Sequence, residues 1–233
     1  MATDHLNIIE RELIDNLRTG TYNGGTAWSS GDVTVFGQFP DTEDIKYPCV
    51  IIQMLANGIE EQFMGQKVSS GSSIVTGELY GVGFNIHCAV DKESSITITW
   101  ENSTCDTTNT NTTVTCDDTS QFSAGTTVSG SGIPAGATVA SVTNSTSFVL
   151  SAAADATATD VTLTFSNPYK QRRLLNYLML NCANVLMDCD FTATQTDVVQ
   201  RVYTGFRNVG YEPMLEVWAS VAGMVMVFKN TRG

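Results

Sequence analysis

The chain has 233 residues, 42% of them apolar and only 15% charged, and it carries a formal net charge of -12. That composition excludes a disordered polyelectrolyte, and the acidity disfavours a tight, sequence-independent grip on a phosphate backbone. A charge content well below the usual quarter leaves a surface that is neutral polar or covered by partners, which points toward assembly.

Leu6, Ile9, Leu13 and Leu17 recur at spacings of three and four, predicting an amphipathic helix over 4–18 with Thr3 or Asp4 as its cap and Gly20 as its end. Asp4, Glu10, Glu12 and Asp15 lie on this pattern, where a secretory leader would be basic and then apolar; the expected site of synthesis is the host cytoplasm. A loop with Gly24-Gly25 covers 22–31. From Asp32 the period becomes two, with Val33, Val35 and Phe39 on one side of a strand that Pro40 closes. A second strand is predicted over 47–55, where Cys49-Val50-Ile51-Ile52 reads as buried on both faces and Pro48 fits only near the start. After a polar stretch to Ser73, alternation from Ile74 to Val90 predicts one long strand, the arm of a hairpin reaching beyond its sheet.

The composition shifts at Ser94. Up to Ser166 the chain is rich in Thr, Ser, Gly and Ala, with short β-branched runs over 96–99, 112–116, 138–142, 147–150 and 161–165, implying an inserted all-β domain over 94–166, sandwich-like or a barrel. No Lys or Arg occurs between Lys92 and Lys170, whereas seven acids do: Glu93, Glu101, Asp106, Asp117, Asp118, Asp155 and Asp160. Asp117-Asp118 reads as a turn, because no spaced further ligands accompany it for calcium. Asn102, Asn111 and Asn144 begin glycosylation sequons of the kind so Thr-rich a segment contains by chance.

At Asn167-Pro168 helical spacing returns, with Asn as N-cap, Pro at the first helical position and a stripe of Leu174, Leu175, Leu178, Cys182, Val185, Leu186 and Cys189, predicting a helix over 168–189. The segment 196–209 suits a helix by the spacing of Val198, Val202, Phe206 and Val209, but its Val, Tyr and Thr content favours strand. Two closing strands are predicted on either side of Gly223. Met214 to Phe228, the most apolar run, contains Glu216 and is shorter than the ~20 residues of a membrane helix, so no membrane partner is expected. The fold class is thus α+β: an antiparallel sheet with helices on one face, built by 1–93 plus 167–233 and interrupted by the insert.

Nothing in the residues assembles a catalytic, metal or cofactor site, and the chain is read as non-enzymatic. His5 and His87 fall in different elements, and His87 and Cys88 point to opposite faces of one strand. Gly77, Gly81 and Gly83 lie inside a strand pattern with no helix after them, which excludes a dinucleotide loop. Of the six cysteines, Cys182 and Cys189 are about 10 Å apart on a helix, too far to bond, and only Cys105 with Cys116 lies across a plausible hairpin. Lys170, Arg172, Arg173, Arg201 and Arg207 are candidate contacts for an acidic partner, against the plainer reading of a solvated face. Met54, Phe63, Tyr80, Trp218, Met224 and Met226 are candidate subunit-interface residues, with core as the alternative for the last three.

Two resemblances add to this. The stretch from Gly125 through Gly132-Ile133-Pro134-Ala135-Gly136 to Val142, continued by Ser147–Ala154 and Val161–Phe165, resembles a β module that recurs in tailed-phage virion proteins. The flanking domain resembles the tail terminator (tail completion) family in its element order: leading helix, the Tyr47–Ile52 strand, hairpin arm, second helix and closing strands. That resemblance implies a homo-hexameric ring at the neck of a virion, capping the tail tube protein and docking to a neck or connector protein, with DNA as passing cargo in the lumen. Residues 54–80 and 214–228 are expected at ring contacts, with the base-free insert outside. Another head-completion or adaptor protein, and a surface-binding virion module acting through the insert, are the alternatives.

Overall fold

The computed structural model describes residues 5–22, 26–27, 32–41, 44–55, 60–63, 67–70, 73–189, 191, 196–213 and 216–231. The chain divides into two compact units, one formed by 1–95 with 170–233 and the other by 96–169.

The elements, in chain order, are α1 (His5–Thr19), β1 (Thr21–Tyr22), β2 (Thr26–Ala27), β3 (Thr34–Phe36), β4 (Cys49–Met54), β5 (Glu60–Phe63), β6 (Lys67–Ser70), β7 (Ser73–Asp91), β8 (Ser95–Thr107), β9 (Thr113–Thr115), β10 (Thr127–Gly130), β11 (Val139–Asn144), β12 (Ser147–Leu150), β13 (Ala158–Lys170), α2 (Gln171–Asp188), β14 (Thr196–Glu212) and β15 (Val217–Thr231). The fold class is α+β and mostly β, as read from the sequence.

In the first unit the strands follow the order β14-β15-β7-β4-β3, with β5 and β6 also pairing β7. All these pairings are antiparallel except β3 with β4, which is parallel, so the sheet is mixed. Both helices lie on one face. Ile9, Leu13 and Leu17 of α1 and Leu174, Leu175, Leu178, Cys182 and Leu186 of α2 are fully buried, a consequence of three-and-four spacing. The expected cap at Thr3 or Asp4 lies outside the described residues, as do the Gly24-Gly25 loop, Met214 and Leu215. Gly20 closes α1: its N–H donates to the Asn16 carbonyl at 2.7 Å, and a Cβ there would meet that oxygen and the Val185 side chain, each at 2.7 Å.

Several boundaries differ from the prediction, each for a physical reason. β3 stops at Phe36, and Phe39 is 56% exposed beyond it. The polar stretch after residue 57 contains β5 and β6 because β7 is long enough to offer them partners. β15 pairs with β7 from Val217↔Asp91 to Thr231↔Gly77. β7 projects beyond the β15 ladder only at its first residues, 73–76, which form a short hairpin arm with β6. Gly223 makes no turn; it continues β15 between Asn85 and Gly205, where a Cβ would lie 2.4 Å from the Thr204 Oγ1. The segment 196–209 is strand, within β14. Asn167-Pro168 belongs to β13 and not to α2: the Asn167 amide donates to Ser123 Oγ at 3.0 Å and Thr126 Oγ1 at 3.1 Å, so it is engaged away from any helix end. The helix starts at Gln171, whose φ of 51° turns the strand sharply into it.

The second unit is a six-stranded sheet in the order β10-β13-β8-β9-β12-β11. Its two end strands meet: Thr127 bridges Thr138, Val128 N–H donates to the Ala137 carbonyl at 2.9 Å, and Val139 N–H to that of Thr126 at 2.8 Å. The sheet therefore closes into a small barrel, one of the two all-β forms that the strand spacing suggests. Closure leaves no long free edge and encloses Val114, Val128, Val139, Phe148, Leu150, Leu163 and Phe165. Phe122 stacks on Phe165 with centroids 4.3 Å apart. β10 escaped the sequence reading because it is only four residues long and ends in glycine. Gly125 before β10, Gly130 at its end, and Gly132 and Gly136 between β10 and β11 all have positive φ, which accounts for the glycines of this stretch.

The Thr-rich turns are built by side chains that accept backbone N–H groups two residues on. Asn102 Oδ1 accepts from Thr104 N at 2.9 Å, Asn111 Oδ1 from Thr113 N at 3.0 Å, Asn144 Oδ1 from Thr146 N at 2.9 Å and Asp118 Oδ1 from Ser120 N at 2.8 Å. The sequon-like triplets at Asn111 and Asn144 are thus turn motifs, and that at Asn102 makes the same contact within β8; in each the hydroxyl residue supplies the bonded N–H.

Two outcomes check this description. Gly20→Ala places a methyl against backbone at the α1–α2 junction and is expected to cost about 1–3 kcal/mol, read as a lower urea midpoint at unchanged m-value. Because β8 and β13 are hydrogen-bonded neighbours, excising 96–169 and joining Ser95 to Lys170 through a short linker should leave the first unit cooperatively folded by circular dichroism. A non-cooperative melt would contradict the insertion.

Candidate functional site

The feature of the first unit that offers itself to a partner is the sheet face opposite the helices. Strand parity separates the two faces. On the helix side, Val82, Phe84, Ile86, Cys88 and Val90 of β7 and Ala222, Met224, Met226 and Phe228 of β15 are buried. On the other side the same strands present Asn85, His87 and Ala89, and Ala219, Val221, Gly223, Val225 and Val227, all half-buried. Register adds Val202 opposite Val225 and Arg207 opposite Val221 from β14. Toward β4 this face is covered: Cys49 and Ile51 are 1% and 5% exposed, and Phe39 meets His87 edge-on at 4.9 Å. Among the described residues no helix packs on the β15 side of it.

At the margin, β14 carries Val202 on this face and Phe206 and Tyr211 on the other, respectively 39%, 62% and 44% exposed. Phe206 was read only as part of a possible helical stripe. Its exposure was not legible, because the same period-two run of Val, Tyr and Phe describes a covered strand and an edge strand equally well. On the outer side of α2, Leu180 and Met187 are also exposed, one heptad apart.

The predicted interface residues scatter. Met224 and Met226 are 1% and 0% exposed, so they are core residues under α2 and not contacts. Met54 is half-buried and pairs with Phe84. Trp218 is half-buried and packs on Tyr211 with centroids 4.5 Å apart. In the β5–β7 ladder Phe63 pairs with Leu79 and Tyr80 with Glu61, while the side chains of Phe63 and Tyr80 lie outside the described residues.

The basic residues do not form one patch. Arg172 and Arg173 are exposed on the first turn of α2. Arg201 sits at the opposite end of that helix, roughly 25 Å away along its axis, where its Nη2 donates to the Cys189 carbonyl. There it neutralises the negative end of the helix dipole. Arg207 lies on the opposite face of β14 from Arg201, since their register partners are Val221 and Met226.

His87 Nε2 lies 3.0 Å from Gln53 Oε1, and burial lowers its pKa. Burial likewise pushes the Cys49 thiol up to about 12 and raises Cys88 well above its ordinary range, so neither is a thiolate at neutral pH. Among the described residues no group of three or more His, Cys, Asp or Glu side chains is placed to hold a metal ion. A cleft of about 200 Å³, lined by Asn16, Gly20, Asn184, Val185, Asp188 and Cys189, is smaller than the ~300 Å³ at which ligand pockets usually begin. No helix among the described residues is long and apolar enough to cross a membrane.

No family model matches the sequence, and no curated protein matches it either.

The His87 geometry has a pH consequence. The folded chain holds the imidazole neutral where the unfolded chain protonates near its ordinary value, so stability is lost as pH falls below about 6.5 and the loss levels off below the lowered folded pKa. His87→Gln removes this component. The stability difference between the two proteins in urea should be constant above about pH 7.5 and should shift against the native chain between about pH 6.5 and 5; a constant difference throughout would exclude it.

Proposed function

We propose that this protein is a structural, non-enzymatic component of a tailed-phage virion: a tail terminator whose copies form a ring, with six favoured, that caps the tail tube and joins it to the neck. The observation that carries this reading is the aliphatic sheet face of β15 and β14, on which no helix packs among the described residues and which exposed Val202 continues, with Phe206 and Tyr211 exposed on the other face of the same edge strand. An apolar surface of that kind on a chain with 15% charged residues is stabilised when a second copy covers it. The element order supports the same reading, as helix, paired strands, long strand, second helix and closing strands build one sheet around β7. The acidity of the chain suits a ring through which DNA passes without being held.

Native mass spectrometry of the purified full chain should show a closed oligomer, alone or with tail tube protein. Phe206→Asp combined with Val202→Asp should convert it to monomer while changing the stability of the subunit by no more than about 0.5 kcal/mol. Twelve copies would favour a connector protein instead. A chain that remains monomeric at high concentration, even beside tail tube, would sink the assembly reading.

A further inference from the structure

We propose that Cys105 and Cys116 are a reversible redox modification site, a latent cross-strand disulfide that staples β8 to β9 within the barrel. Asp106 pairs with Thr115 in antiparallel register, so the next step places Cys105 opposite Cys116. Asp117 N–H donates to Thr104 Oγ1 at 3.1 Å, carrying the same register one residue further. Directly opposed residues of an antiparallel pair have Cα atoms about 4.5–5.5 Å apart, within the window a disulfide spans without backbone movement. Both side chains enter the same core cluster, at 0% and 6% exposure, where the Cys105 thiol donates to the Asn102 carbonyl at 3.8 Å and the Cys116 thiol to the Asp118 carbonyl at 3.5 Å. Both are free thiols.

The slightly exposed Cys116 is the sulfur that a small oxidant reaches first. Its thiolate attacks a low-molecular-weight disulfide such as oxidised glutathione, forming a mixed disulfide and expelling one glutathione thiolate. The Cys105 sulfur, giving up its proton, then attacks the Cys116 sulfur and expels the second. Two protein thiols are thereby oxidised by two electrons, one glutathione disulfide becomes two thiols, and the two protons end on those leaving groups. Burial keeps Cys105 protonated, with its pKa pushed up to about 12, so closure is slow at neutral pH. The barrel therefore stays open-thiol in a reducing compartment and closes in an oxidising one. A second thiol contact, Cys88 with Cys182, is sealed beneath α2 at 0% exposure on both sides and has no comparable access.

The test uses the full chain, both held natively in excess oxidised glutathione and refolded from urea in the same buffer. Each is followed by alkylation, intact mass and peptide mapping. The expected result is loss of two alkylatable thiols, a peptide linked through Cys105 and Cys116, and a barrel melting point raised by about 5 °C or more, reversed by dithiothreitol. Cys116→Ser, at the more exposed position, should abolish the link and the rise; Cys105→Ser should do the same. Six alkylatable thiols after both treatments would overturn the proposal. So would a glutathione adduct that persists on Cys116, or a link from either residue to a different cysteine.

Discussion

Burial of one parity of β7 beneath α2 is the constraint from which the first unit is built. Val82, Phe84, Ile86, Cys88 and Val90 are at most 2% exposed, and their register partners Ala222, Met224 and Met226 on β15 and Val50 and Ile52 on β4 extend the same apolar layer. Because side chains alternate strictly along a strand, committing that set to the core commits Asn85, His87 and Ala89 to the opposite face. A slip of one residue would exchange the two sets. The uncovered face is therefore a by-product of the core, and its mildly apolar character follows from the valines and alanines that β15 contributes there.

The same sheet protects itself at its edge. Among the described residues β14 pairs only with β15, and its ladder shifts register at three places, between Val198 and Gln200, Tyr203 and Gly205, and Asn208 and Gly210. Gly205 and Gly210 adopt positive φ beside two of these bulges, in space where a Cβ would meet nothing, so the requirement is conformational and not steric. Bulges bend an edge away from straightforward strand addition. Assembly through this region is thus better served by exposed side chains of the edge strand, Val202 on the uncovered face and Phe206 on the other, than by continuation of the hydrogen-bond ladder. That is why the oligomer test targets those residues.

The second unit solves a different problem, that of a chain with little charge and few large side chains. Its 74 residues contain no Lys or Arg, so solubility and turn geometry rest on hydroxyls, amides and six acids. Asn111, Asn144 and Asp118 each tie a turn by accepting an N–H two residues on, Asn102 does the same within β8, and the bridge of Thr127 to Thr138 removes the free edges. Two hydrogen bonds from Ser120 hold the Asp118 carboxyl below its ordinary pKa although the side chain is fully exposed, a local effect of the turn.

By itself the amino-acid sequence determined what is set by local periodicity. Ile9, Leu13 and Leu17 specified the face of α1, the alternation from Ile74 to Val90 specified β7, and the loss of basic residues after Lys92 marked the insert. Tertiary structure decided what depends on residues distant in the chain. Gly223 reads as a turn until Thr204 and Asn85 on neighbouring strands are seen beside it, and Asn167 reads as a helix cap until Ser123 and Thr126 claim its amide. Closure of the barrel, burial of Met224 and Met226, dispersal of the arginines and the exposure of Phe206 are all consequences of which strands become neighbours. Periodicity along the chain carries no record of that choice, because the energy of a buried or exposed side chain is fixed by what lies across from it and not by its spacing.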